Sequence, residues 1–265
     1  MQVLDKGTRN HIVARTTLQI GALLSSFPLP DNEKKEVSSI FKSLMHRLLR
    51  MQEIEESFRS DYEKIRVRIR ETGIKKLDEE TYEIPQIMGL DAKAEDFLQG
   101  AKLTLIDCGS LFGPLFGKPF DHRFDKAIAW LSGELGESNE LVIQLEKHHV
   151  WIVQTLARRN ALEHPKDGPE GRLHIQNIDI DVEGSKLMGS DPSWFLTGDE
   201  PTSIIEDTRI LLENVLRLAE EILISSLRHL FPDVPIDVIE IPEGRRDPNA
   251  PIRFSLVSRG DIPGA

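Results

Sequence analysis

The sequence predicts a mainly α-helical protein, and three observations predict it. Apolar residues recur in steps of three and four along most of the chain. Pro and Gly fall where those periodic runs stop. The two-residue alternation of a half-buried strand is confined to residues 172–196 and to two short stretches of the tail. At 265 residues and 39% apolar the chain is long enough to bury a substantial core and too apolar for disorder.

The first helix is expected from Thr8 to about Phe27, with Ile12, Val13, Leu18, Leu23 and Leu24 as its apolar members and Pro28 and Pro30 ending it. Asp31 then caps a much longer helix. Its apolar positions, among them Val37, Phe41, Leu44, Leu48, Phe58, Ile65 and Ile69, keep helical spacing to about Glu71, and Gly73 is the expected stop. Forty residues would reach about 60 Å, long enough to extend past a bundle or to pack against a second chain. Residues 74–90 read as an acidic connector and as the boundary between subdomains.

Asp91 caps the next helix, which runs to about Phe112 and is broken by Gly113, Pro114, Gly117 and Pro119. A shorter helix follows Asp121 and ends near Gly136. Ser138 caps another, with Leu141, Val142, Leu145, Ile152, Val153 and Leu156 on its apolar side, and Pro165 forbids its continuation. Leu173 and Ile175 alternate with polar neighbours, and so do Ile178, Ile180 and Val182 after a phase shift at Asn177. That pattern predicts a hairpin with a bulge and a turn at Glu183-Gly184. Pro201 suits the first turn of a final helix to about Leu230, stopped by Phe231-Pro232. Extended segments are expected at 234–241 and 252–257. The segments are therefore 1–90, 91–231 with the β-hairpin at about 172–196, and an extended tail, 232–265.

Composition narrows function. With 33 Lys and Arg against 44 Asp and Glu, the net charge of −11 disfavours a non-specific nucleic-acid coat and an anionic membrane surface. The charge is uneven: residues 42–76 carry ten basic and six acidic side chains, and residues 77–100 one and seven. The single cysteine, Cys108, excludes an intrachain disulfide and a cysteine-based zinc cluster. Met1–Asn10 lacks a signal-peptide pattern, and no apolar run approaches the ~20 residues of a membrane span, so a cytoplasmic location is expected.

The segment most informative for chemistry is Arg158-Arg159-Asn160-Ala161-Leu162-Glu163-His164-Pro165, which closes a well-patterned helix. Asn160 and His164 are four apart and share a face. Arg159 lies about 140° around the helix from His164, from the ~100° step of an α-helix. Its long side chain and a distorted last turn are what would bring guanidinium and imidazole together. His148, His149, His164 and His174 fall close in sequence, but His149 and His164 are about 22 Å apart along a helix and cannot share an ion within one chain. Neither His-Glu-x-x-His nor Cys-x-x-Cys occurs, so no metal is expected.

Arg159-Asn160-x-x-x-His164 resembles the Arg-polar-x3-His motif of HEPN domains, a superfamily of up-and-down helical bundles in which the motif ends the third helix. Counted from Asp91, the motif here also ends the third helix and a long fourth comes after it, so the resemblance covers about residues 91–231. It implies a HEPN-like bundle with an N-terminal long helical hairpin and a small inserted β-hairpin. It also implies a metal-independent endoribonuclease of the toxin or host-defence kind, without cofactor, acting as a homodimer whose two motifs share a cleft. An RNA substrate and an antitoxin or nucleotidyltransferase partner come with it. On that reading His164 does acid–base work, Arg159 stabilises charge on the phosphate oxygens and Asn160 orients the Arg or the phosphate. The neighbouring cations Arg158 and Lys166 are substrate-binding candidates. The chain departs from the family in having Pro165 and Lys166 where a Tyr often follows the His.

A second reading of the same residues stays open. Arg159 and Glu163 form an i,i+4 pair of opposite charge, and cations suit the negative end of a helix dipole. The protein is then a non-catalytic helical module binding a partner protein or nucleotide, with the long helix as its interface. A positive cleft holding His164 is the mark of the enzyme. An acidic motif surface with Arg159 held on Glu163 is the mark of the module.

Overall fold

Asn10, not Thr8, starts the first helix: its Oδ1 accepts from the amides of Ile12 and Val13 at 2.9 and 3.4 Å. In the computed structural model, which describes residues 6–78, 81–164, 171–183 and 186–259, this helix has three parts. They are α1 (His11–Val13), a π-helical segment (Ala14–Gln19) and α2 (Ile20–Ser26). The later elements are α3 (Asp31–Thr72), β1 (Lys75–Lys76), β2 (Tyr82–Glu83), α4 (Leu90–Ser110), α5 (Phe112–Phe116), α6 (Phe124–Leu135), α7 (Glu140–Glu163), β3 (Leu173–Gln176), β4 (Ile180–Glu183), β5 (Lys186–Gly189), β6 (Ser193–Leu196), β7 (Thr202–Ser203), α8 (Ile204–Leu230), β8 (Ile236–Glu240) and β9 (Phe254–Ser258). The protein is mainly α. Among the described residues no helix is long and apolar enough to cross a membrane.

Several boundaries differ from the sequence expectation, each for a local reason. The expected acidic connector contains a two-stranded ribbon, with Lys75 opposite Glu83 and Lys76 opposite Tyr82. Gly113 and Pro114 lie inside α5 and do not break a helix, because proline is tolerated in a first turn, where its missing N–H costs nothing. Asn139, not Ser138, caps α7, accepting from the Leu141 amide at 3.0 Å. Pro201 precedes β7, and α8 starts only at Ile204. Asn177 makes no bulge. Its side chain pairs with the backbone of Ile87 in both directions, at 2.9 Å each, and ends the strand. The next strand, β4, pairs with β5 in a separate ribbon, so the single hairpin expected at 172–196 is a β3–β6–β7 sheet plus that ribbon. The turn residue Gly184 lies outside the described residues. The two expected tail segments pair antiparallel as β8 and β9, with Ile236 opposite Ser258 and Glu240 opposite Phe254.

The chain divides into two units. One comprises residues 1–49, 103–150 and 215–265. Its core includes Ile12, Leu23, Phe41, Leu44, Leu105, Phe112, Phe124, Leu145, Leu216 and Leu223. Each such side chain contributes on the order of 1.5–3 kcal/mol by leaving water. Within this core lies a charged network. Glu220, fully buried, accepts from Arg15 Nε at 2.8 Å and from Gln19 Nε2 at 2.7 Å, and Arg253 NH1 stands 3.4 Å from it. Gln19 Oε1 receives the backbone amides of Arg253 and Phe254 at 2.7 and 2.8 Å. Arg253 also reaches Glu221 and Glu240, and His148 lies 2.8 Å from Glu221. The π-helical segment places Arg15, Thr16 and Gln19 inward together, and the amide of Phe254 at the start of β9 is bonded to Gln19.

The second unit comprises residues 50–102 and 151–214. Met51, Phe58, Phe97, Leu98, Ile152, Trp194 and Ile204 are among its buried members. Gly100 lets α4 approach α3, since a Cβ there would run into the Met51 side chain. Beyond Phe58 no residue of α3 is buried, and the helix ends at Gly73, whose φ of +70° suits glycine. The sheet is fastened by Asp207 Oδ2, which accepts from Trp194 Nε1 at 2.6 Å, Thr202 Oγ1 at 2.6 Å and Arg158 NH1 at 2.8 Å.

Candidate functional site

The last turns of α7 carry the candidate motif. Successive residues of a helix diverge by about 100°, so Arg158 and Arg159 serve different surroundings. Arg158 turns to the sheet, donating to Asp207 and Thr202 with its guanidinium 5.1 Å from the centre of the Trp194 ring. It lines a cleft of about 530 Å³ together with Trp151, Gln154, Asp199, Glu200 and Asn214, and it is not brought to the motif. Lys166 lies outside the described residues.

Arg159 turns toward α4, and its side chain is only 10% exposed. Its Nε donates to Gln99 Oε1 at 3.1 Å, and its NH1 to Asn160 Oδ1 at 3.4 Å and to Glu163 Oε2. Asn160 therefore does contact the arginine. His164 comes one turn later, its amide bonded to the Asn160 carbonyl at 2.9 Å. The His164 side chain is 71% exposed, with Nε2 3.6 Å from the same Oε2 of Glu163. Arg159 and His164 are thus brought together only through a carboxylate held between them.

In front of Arg159 is a cavity of about 240 Å³, lined by Glu95, Asp96, Gln99, Arg159, Leu162 and Glu163. Three carboxylates face one guanidinium already paired with one of them, so the motif surface is acidic. Lys102 stands one turn beyond Gln99 on α4. Burial, and then the positive charge of Arg159, hold its ammonium below the usual lysine range. Val153, Asn160 and His164 lie along one side of α7, within a spread of about 40° at 100° per residue, and all three are exposed.

Glu163 was legible in the sequence as the i,i+4 partner of Arg159. Gln99 and Lys102 were not, because they meet Arg159 through tertiary packing across about 60 residues. The one available signal was the polar line Glu95, Gln99, Lys102 at i, i+4, i+7 along α4. Of the clustered histidines, His148 belongs to the buried network of the first unit, and His174 stacks on Phe195 at 5.0 Å in the second. Among the described residues no group of three or more His, Cys, Asp or Glu side chains is placed to hold a metal ion.

Comparison with protein-family models, with curated proteins and with solved structures found no match.

Proposed function

We propose that this protein is a non-catalytic, HEPN-like helical module that binds a partner protein in the cytoplasm. The observation that carries this reading is the state of Arg159: buried, paired with Glu163 and facing an acidic cavity. A phosphate entering that cavity would face the carboxylates of Glu95, Asp96 and Glu163 beside the single guanidinium, and like charges repel. The long helix α3 is the proposed interface, since residues 59–72 have no buried side chain and offer about 21 Å of helix for contact.

The second reading is the metal-independent endoribonuclease of the toxin or host-defence kind. The exposed side carrying Val153, Asn160 and His164 favours it, because a second copy docking on the Asn160 and His164 end of that side would bring two His164 side chains to one interface. In that arrangement one imidazole takes the 2′-OH proton, the partner's imidazole protonates the leaving 5′-oxygen, and Arg159 balances the phosphate charge once Glu163 has withdrawn. An antitoxin or nucleotidyltransferase partner belongs to this reading.

RNA incubation with purified protein in EDTA separates the two. The module leaves RNA intact with wild type, His164→Ala and Arg159→Ala. The ribonuclease cleaves as wild type and loses cleavage in both variants while circular dichroism stays unchanged. Val153→Glu adds a second readout, since it lowers a dimer mass measured by light scattering only if that face is an interface between copies.

A further inference from the structure

Toward its carboxyl end α3 carries charge of the opposite sign to the chain as a whole. Residues 59–76 hold seven basic and three acidic side chains in a protein of net charge −11. Arg59, Arg66 and Arg70 are all exposed and lie along one side of the helix, within a spread of about 40° at 100° per residue. The row is about 16 Å long at the usual helical rise. Its counter-charges within the chain are poor. Arg59 stands 3.7 Å from Glu55, whose Oε1 is buried without a hydrogen bond among the described residues and whose carboxyl is pushed up by burial. Arg66 stands 3.9 Å from the exposed Glu63, and Arg70 has no ion pair among the described residues. Val67, exposed beside Arg66, adds an apolar contact to the row.

A cationic row on an anionic protein is complementary to an anionic partner. That partner is a nucleic acid or an acidic protein segment, and the surroundings favour the segment. Tyr62, the one aromatic residue between positions 59 and 76, is already engaged. Its hydroxyl donates to Asp191 and the Arg66 guanidinium lies over its ring, 5.6 Å from the centre, so it offers no open platform for a base. Residues 77–100 carry one basic and seven acidic side chains, which would repel a polyanion extending past the row. A short run of carboxylates can match the row in length, and the guanidinium fork fits a carboxylate. We infer that Arg59, Arg66 and Arg70, with Val67 beside them, form a docking face for an acidic segment of a partner protein. The inference rests on the proposed function, which makes α3 the interface, and it adds the chemistry of the partner and the side chains that read it.

The test uses the full chain and three fluorescein-labelled probes of about equal length: oligoglutamate, oligoglutamine and a single-stranded oligoribonucleotide. Binding is followed by fluorescence anisotropy. Wild type is expected to bind oligoglutamate and not oligoglutamine, with an affinity that falls as salt is raised. Arg59→Gln/Arg66→Gln/Arg70→Gln should bind oligoglutamate about tenfold more weakly. Lys35→Gln/Lys42→Gln/Lys126→Gln removes the same charge from exposed positions of the first unit and should bind like wild type. Equal affinities for wild type and the arginine variant overturn the inference, and so does an equal loss in the lysine variant, which would make net charge the cause. Tighter binding of the oligoribonucleotide, lost in the arginine variant, overturns it in favour of a nucleic-acid face. If circular dichroism shows that the triple arginine variant has lost helix, Arg70→Glu repeats the comparison with one charge reversal in the last turn of α3. Cleavage of RNA by wild type in EDTA is a separate readout, which overturns the non-catalytic reading and leaves the oligoglutamate comparison to decide the inference.

Discussion

The two arginine clusters of this protein use the same chemistry to opposite ends. Around Glu220, in the first unit, two arginines and a glutamine from distant parts of the chain close on one fully buried carboxylate, and the backbone of β9 is tied in with them. Around Arg159, in the second, the partners are the adjacent Asn160, Glu163 one helical turn away and Gln99 of α4, the glutamate is half exposed and a cavity opens in front. The first arrangement satisfies its charges with the chain's own buried groups. The second satisfies its charge with a group that water can reach. Buried ionic networks of the first kind hold an architecture. A guanidinium of the second kind stays available to a competitor.

That contrast can be broken by removing one carboxylate from each side. Glu220→Ala removes the buried carboxylate that Arg15 and Arg253 share and is expected to cost about 3–5 kcal/mol in denaturant unfolding, where removal of one partner of a buried pair usually falls. A loss below about 1 kcal/mol would put the first cluster in the same class as the second. Gln19→Leu is the next step down. It leaves the amides of Arg253 and Phe254 without their acceptor, at about 1–3 kcal/mol for buried groups left unpaired, and it should loosen β8–β9 selectively in amide exchange.

The comparison also sharpens with pH. Burial pushes the Glu221 carboxyl up, but the hydrogen bond from His148, with the charges of His148 and Arg253, outweighs it and holds the group below the ordinary 4.5. A carboxyl with a depressed folded pKa contributes stability above its unfolded value and loses it as pH falls through the folded one. Wild type should therefore lose stability more steeply than Glu221→Gln as pH is lowered below about 4.5, measured as the midpoint of urea unfolding. Matching slopes would remove His148 and Arg253 as the cause. The smallest expected effect is at the motif. A double-mutant cycle on Arg159→Ala and Glu163→Ala should give a coupling of about 0.5–1.5 kcal/mol, above that of exposed i,i+4 pairs because Arg159 is buried while Glu163 is half exposed. A coupling several times larger would mean that Glu163 does not exchange with solvent.

Much of this was legible in the sequence, and the reasons for the rest are particular. The extent of α3 was readable from Asp31, unbroken apolar spacing and Gly73. The break between strands was visible at Asn177, but its cause was not, because the partner of that side chain is the backbone of Ile87, 90 residues earlier. The β1–β2 ribbon was missed since Lys75, Lys76, Tyr82 and Glu83 are nearly all exposed and leave no alternating apolar pattern. Arg159, Asn160 and Glu163 were legible because a helix brings neighbours four apart together. Arg15 and Glu220, 205 residues apart, share no periodicity at all.

The π-helical segment near the amino terminus has a further consequence, for changes in chain length. A π-turn is an α-helix that has taken in an extra residue without turning its flanks away from the core. Ile12 and Val13 before it, and Leu23 and Leu24 after it, remain buried on either side. Ala14–Gln19 is thus a slack link in an otherwise taut rod, the place where the helix can be shortened by one residue while both ends keep their grip. Anywhere else in that helix the same deletion would rotate one apolar face into water.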